Sequence, residues 1–567
     1  MRVSISDCIM GKKCLYYIIV IGLFLLFFTG ISASEEKKAD DVAGRGKVRQ
    51  ITLSVTSSSY DPVRYGMGLL IAENWRKLGF DVKLVAMDWA TISKECLNRK
   101  DFDAFILHWS GRAERIDPDS FCYSIAHSSQ ADAGGFNVSG YSNEEYDRYA
   151  EAQRYELDTE KRKQLVWKCQ EIIARDQPFT PIVTRNRLNP YNDRDWTGWT
   201  PMMGEGLQSF WNMMNVKPQT GRINLRWGYL GDIRNMNPMT SMAAHDFQTQ
   251  RLIYDTLIRI NTNGMPVLWA AEDYKIINEK TFDVSIRKGM KFHDGYPVTS
   301  KDIKFSFEFP GKVNSSYFAN ILYPFRAVEI IDEYTVRFHI HEASATFIAN
   351  CLGNVFILPE HIWSRISNPL EYSNDKPIGS GPFKLVHWRR NEEIKLSRFE
   401  GHFNPPHYEN LIKKPYPNVQ SMVAAVQNDE CDFGGWYIEP VHADLLKKKT
   451  KHAKTIIARD HGFYHVNYNV RRTPFNDPAL RKAMAAAIPK NQILDSILEG
   501  NGEILDSSIA PVNGFYYDPN IPKHVFSLEK ARQILKDAGY AWDKNGKIYY
   551  PFGKHEDVYL RSGDDPL

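Results

Sequence analysis

The chain has 567 residues, of which 43% are hydrophobic, 13% aromatic and 25% charged. That length exceeds one ordinary domain and the apolar share supports a large core, so two or three lobes are expected. A net charge of +3 leaves no general footprint for nucleic acid, and partners must be read from sites rather than from overall charge.

At the start, Lys12 and Lys13 precede the apolar run Leu15 to Phe28, and Ile31-Ser32-Ala33 offers small residues at a cleavage point. Residues 1–33 therefore read as an export signal, with an uncleaved N-terminal anchor as the alternative; either places the bulk of the chain at the periplasmic or extracellular face of the membrane. Cys8 and Cys14 lie before or within the apolar run, so no cysteine follows it to accept a lipid. Cys96, Cys122, Cys169, Cys351 and Cys431 form no C-x-x-C pair; no bridge is assigned, and buried thiols are favoured over a metal site. Residues 34–49 are charged, small and aperiodic, the composition of a flexible leader.

From there Ile51, Leu53 and Val55 alternate as a strand, Met67, Ile71, Trp75 and Leu78 mark a helix face closed by Gly79, and Phe80, Val82 and Leu84 alternate again. Trp89 to Asn98 follows as a helix and Ala104 to Leu107 as a strand, completing an α/β unit with a parallel sheet. Ser142 with Glu145 predicts a capping box, and Leu165, Cys169 and Ile172 form the stripe of a helix stopped by Pro178. Asn215 to Arg222 is a turn-rich junction. Further on, Phe282, Val284 and Ile286 alternate with Asp283 and Ser285 before the turn at His293-Asp294-Gly295, and Thr299 with Asp302 predicts a capped helix start. His293 beside Asp294 has no third ligand at metal spacing, and His339 and His341 lie on an alternating strand, so neither metal nor cofactor is expected.

The block Trp269 to Phe309, with its Ala-Ala-Glu run and IRKGMKFHDG turn, resembles the signature region of the family 5 extracellular solute-binding proteins, the peptide-binding type that feed ABC importers. IGSGPFKLVHW, the RFEGHFN turn, VAAVQNDECDFGGW and VNYNVRRTPFNDPALRKAMAAAI resemble later segments of the same family, although Phe403 is displaced in the turn and Asn428 replaces a family glycine. DPDSFCYSIAHSSQ and SGYSNEEYDRYAEAQRYELDTEKRKQLVWKCQEIIARDQPFTPIV resemble the family's C-terminal end, yet they come first here. The two halves together tile one copy of the family, through circular permutation or through a fusion of fragments that completes one copy.

The resemblance implies an α/β, two-lobed periplasmic-binding-protein-like clamp (type II) with an extra subdomain, the halves in swapped order. The expected layout is 50–182 as the first part of a C-terminal-type lobe, 183–265 as N-terminal-type lobe with its junction at 215–222, and 266–371 as subdomain. Residues 372–470 then complete that lobe and the hinge, and 471–567 return to the C-terminal-type lobe. Residues 50–182 should pack with 471–567, the strand from Ile51 should lie near Asp557 to Leu560, and the hinge strands should be Phe179 to Val183 and Phe463 to Asn467. The implied role is capture of an oligopeptide or similar small polar solute by a monomer that hands it to an ABC permease; an oligosaccharide ligand, a sensor without transport and a degenerate fusion are the alternatives. The chain carries no HExxH, G-x-S-x-G or phosphate loop, which disfavours an enzyme.

In the family, the loop that here reads H-W-S-G-R-A-E-R-I-D-P-D reaches the ligand, and peptide-binding members place an aspartate where this chain has Arg112. An arginine cannot accept an ammonium but grips a carboxylate or phosphate with two prongs. Arg112, Trp109 and Asp117 are thus candidate ligand contacts; the alternatives are a loop brace from Arg112 to Glu114 or Asp117, and a rim or core role for Trp109. Gly434-Gly435-Trp436-Tyr437 has the composition of a close-approach loop with aromatic walls, core packing being the alternative for Trp436. Asn467 and Asn469 complete the candidates, with structural hydrogen bonding as their competing role.

Overall fold

A computed structural model describes residues 42–132, 135–241, 244–315, 318 and 321–553. The expected export signal and the neighbour of Ile51 at Asp557 to Leu560 lie outside these residues. The first unit has β1 (Ile51–Thr56), α1 (Pro62–Lys77), β2 (Val82–Met87) and β3 (Ala104–Trp109), with β1 parallel to both β2 and β3. Leu53, Val55, Met67, Ile71 and Trp75 are fully buried, so strand and helix meet through the faces that their periodicity marked. Helix α2 (Glu144–Tyr155) starts one residue later than the Ser142 box predicts: the Asn143 amide oxygen accepts from the backbone of Glu145 and Tyr146 and is the cap. Helix α3 (Thr159–Asp176) ends on Gln177 in the left-handed region, and β4 (Phe179–Arg185) follows.

The chain then crosses at Asn186 into β5 (Arg187–Asn192) and a second lobe. There β6 (Asn224–Leu230) and α4 (Ala244–Ile253) lead to a separate four-stranded antiparallel sheet, β7 (Ala271–Asn278), β8 (Thr281–Ile286), β9 (Phe325–Asp332) and β10 (Thr335–Ile340), in order β7-β8-β10-β9. Helix α5 (Ser300–Lys312) covers it from its capping box, in which the Thr299 amide donates to Asp302 at 2.9 Å. Strands β11 (Phe383–Arg389), β12 (Glu393–Arg398), β13 (Asn410–Tyr416), β14 (Phe433–Gly434) and β15 (Ala453–Ala458) complete a seven-stranded sheet in order β11-β12-β13-β6-β14-β5-β15.

After Ala458 the chain returns to the first lobe as β16 (Phe463–Tyr468), α6 (Pro478–Ala486), β17 (Gly502–Ile504) and α7 (Leu528–Asp537). The first lobe's sheet runs β2-β1-β3-β16-β4-β17, so its middle strands come from opposite parts of the chain. One core joins Leu53, Ile71 and Trp75 to Leu480, Met484 and Leu535, and the Trp75 indole donates to the Met484 carbonyl at 3.1 Å. Residues 42–49, expected as a flexible leader, are held by this lobe: Val48 is buried, Lys47 bridges Tyr549, and Arg49 pairs with Asp103 at 2.6 Å. The two lobes are linked by two crossings, Arg185 to Arg187 and Ala458 to Phe463. These run side by side, because β4 pairs with β16 on one side and β5 with β15 on the other. Among the described residues, all five cysteines are buried and unbridged, and no helix is long and apolar enough to cross a membrane.

Candidate functional site

Three loops converge where the crossings meet the lobes. The loop after β3 brings Gly111 so close to the returning strand that a Cβ there would sit 1.9 Å from Asp460 Oδ1, and one on Gly462 would sit 2.2 Å from the Gly111 amide. Only residues without side chains permit that approach. Asp460 accepts from the Gly462 amide at 2.8 Å and from Arg187 Nε at 3.1 Å, while Arg187 also donates to the Gly111 carbonyl at 3.3 Å. Both members of the Arg187–Asp460 pair are buried, so their charges are matched within the protein. His461 is buried beside the Arg112 backbone, and burial holds its imidazole below the usual histidine range, hence neutral.

Between the lobes runs a chain of three cavities. The first, about 70 Å³, is lined by Arg112, Arg187, Gln208, Gln248, Arg251 and Trp436. It shares Glu205 and Arg251 with a constriction of about 30 Å³, which in turn shares Ala113 and Ile260 with a third cavity of about 230 Å³. That last space is walled by Ile116, Leu157 and Phe515 from one lobe and by Met265, Tyr274 and Ile348 from the other. A larger open basin of about 570 Å³, around Trp211, Trp269, Phe403 and Arg287, is lined entirely by residues from between the two crossings. Its walls come from one lobe alone, whereas the interlobe run is lined by both.

Of the residues expected at a site, Arg112 and Trp436 meet in the first cavity. Tyr437 stacks on Trp436 with ring centroids 5.1 Å apart and lies 4.4 Å under the Arg185 guanidinium, which pairs with Glu439 at 2.6 Å. Trp109 instead packs edge-on to Phe136 at 5.4 Å, with Arg115 over its ring at 5.0 Å. Asp117 is taken by Arg162, whose Nη1 and Nη2 donate to its two oxygens at 2.8 and 2.7 Å; this closed pair removes it as a free ligand acceptor. The same pairing removes Asp117 as the partner of Arg112, and the side chain of Glu114 lies outside the described residues. Asn469 donates to the Lys100 and Phe102 carbonyls at 3.1 and 3.0 Å, a structural role. Asn467 is buried in β16 between Phe105 and Phe179. Sequence reading missed Arg187, Gln208, Arg251 and Asp460. A signal was available in the charged residues Arg185 and Arg187 at the end of an apolar strand, and in Arg459-Asp460-His461-Gly462 just before another.

Two lobes on two side-by-side crossings, with an enclosed run of cavities between them, define a hinged binding clamp. The chain belongs to the bacterial extracellular solute-binding proteins, family 5, whose model matches residues 32–133 and 265–567. It is 28% identical over 343 residues to the oligopeptide-binding protein AppA of Bacillus subtilis, covering 58% of this chain and 61% of that protein. It is 26% identical over 317 residues to heme-binding protein A of Haemophilus influenzae, covering 51% and 56%. The chain spans about three fifths of the length of these relatives. Among solved structures, that of Bacillus subtilis AppA in complex with a nonapeptide aligns over 58% of this chain and 67% of that one, with 25% identity and a TM-score of 0.47.

Proposed function

We propose that the protein captures an oligopeptide or a similar short polar solute in the interlobe groove, outside the cytoplasm, and presents it to the permease of an ABC importer. The observation that carries this reading is the run of cavities bounded by both lobes at their crossings, since hinge closure is what makes such a groove bind. Relatives named for oligopeptide, dipeptide and heme binding support a solute-binding role and leave the solute open. We read the chain as a permuted member whose halves occur in swapped order, acting as a monomer without a cofactor. Support for the permutation comes from the first lobe, which draws β1 to β4 from the front of the chain and β16, β17, α6 and α7 from its end.

Thermal unfolding in the presence of peptides, oligosaccharides and metal chelates tests this function. A ligand at a hundredfold excess over its dissociation constant should stabilise the chain by about 2.7 kcal/mol and be recovered unchanged. Conversion of any of these compounds into product would point to an enzyme instead.

A further inference from the structure

The first cavity is lined by three arginines, Arg112, Arg187 and Arg251, and by one carboxylate, Glu205. Arg187 is paired with Asp460, and Arg251 reaches Glu205 at 3.0 Å, but among the described residues Arg112 has no carboxylate partner. Among the described residues, Arg112 is thus the one arginine of this cavity without an ion pair. In the same cavity Gln208 is only 6% exposed, and its amide oxygen has no hydrogen-bond partner among the described residues. Buried amides are ordinarily satisfied, so an unsatisfied one facing a cavity marks a place for a ligand's polar group. Two other arginines, a glutamine and the Trp436 ring surround the same space, and the groove beyond it widens between Ile116, Met265, Tyr274, Ile348 and Phe515.

We infer that the ligand is a short chain whose terminal carboxylate is gripped by Arg112, with Gln208 bonding the adjacent polar group and the apolar part lying toward Phe515. The inference rests on the interlobe groove being the solute site. A planar guanidinium matches a carboxylate through two parallel bonds, whereas an ammonium at the same point would meet like charge. A free amino terminus is therefore not required, and the anionic end sets the orientation of the ligand.

The test uses the full chain and calorimetric titration with one tetrapeptide, Ala-Leu-Phe-Ala, in four forms: both ends free, N-acetylated, C-terminally amidated, and blocked at both ends. A uronate-terminated tetrasaccharide serves as the non-peptide acid. The two peptides with a free carboxylate should bind with similar affinity, and the two amides at least about tenfold more weakly, the factor expected for a lost charge-assisted bond. Arg112→Ala should collapse that acid-over-amide preference without changing the melting temperature of the empty protein, and Arg112→Lys should restore it only in part. Amides binding as tightly as acids, or a requirement for the free amine, would overturn the carboxylate inference while leaving solute binding intact. Binding of the saccharide acid alone would keep the anion site and exclude the peptide. If none of the five compounds binds, the carboxylate inference fails, and the solute-binding reading fails with it only if the thermal-unfolding series of peptides, oligosaccharides and chelates also shows no stabilisation.

Discussion

The Val48 backbone amide donates to the Ile548 carbonyl at 3.0 Å, although nearly the whole chain separates the two residues. The Tyr550 amide donates in turn to the Gly46 carbonyl at 2.9 Å, so the described ends run beside one another in one lobe. Trp196 and Thr197 pair with Pro218 and Lys217, and Arg222 reaches Asp429 and Asp432, so the turn-rich junction is tied into the second lobe. Nearby termini and an exposed turn are the conditions under which reordering a chain costs little.

A chain rewired to begin at Arg222, run to Gly553, continue through a short flexible linker to Gly46 and end at Gln219 should therefore fold. We expect the same scattering profile and a melting temperature within a few degrees of the original. A rewired chain that is unfolded, or that adopts a different envelope, would contradict the reading of the two segments as one continuous lobe.

Arg154 holds the lobes together away from the hinge. Its guanidinium lies 3.8 Å over Tyr123 of its own lobe and 4.3 Å over Tyr323 of the four-stranded subdomain, and its carbonyl accepts from the Ala345 amide at 2.7 Å. The guanidinium also pairs with Asp119 at 3.0 Å in a largely buried setting. Arg154→Ala takes the paired cation from that carboxylate, leaving it the Gln153 amide at 2.6 Å, and removes both stacking contacts, so urea titration should show a loss of about 3 kcal/mol. Amide exchange over residues 321–345 should quicken more than exchange in β1 to β3. Uniform quickening would mean that Arg154 supports its own lobe alone.

Lys413 on β13 is fully buried, its ammonium 4.0 Å from the Trp227 ring and hydrogen-bonded to Thr249 Oγ1 at 2.7 Å. Burial pushes it from 10.5 down to about 7, against the opposing pull of Asp246 and Asp232. In the unfolded chain the same group holds its proton to about pH 10. Between about pH 7 and pH 10 the unfolded state binds more protons, so the stability of the protein rises with pH across that window. Lys413→Met lacks this titration. The stability difference, wild type minus variant, should thus increase from about pH 7 to pH 10 in urea titrations; a flat difference would show that the ammonium keeps its ordinary proton affinity.

Much of the fold was legible because it is local. Alternation at Ile51, Leu53 and Val55, the helix face from Met67 to Trp75, and the Thr299–Asp302 cap each depend on a few neighbouring residues, and each stands in the structure. The Ser142 cap failed because Asn143, a better acceptor in the adjacent position, reaches two amides. Of the residues expected at a site, Arg112 and Trp436 line the first cavity, each carried there by its own loop. Whether Asp117 is free depends on Arg162, and the balance of charge around Arg112 depends on Asp460 and Glu205, residues brought together by the crossings and by no spacing in the chain.

If a solute occupies the groove between the lobes, native mass spectrometry of the purified full chain will detect it. We expect chains carrying one small molecule each, lost on unfolding and refolding in urea, with a melting temperature lower by several degrees after the loss. Bare chains before refolding, together with a melting temperature that no peptide, saccharide or chelate raises, would contradict it.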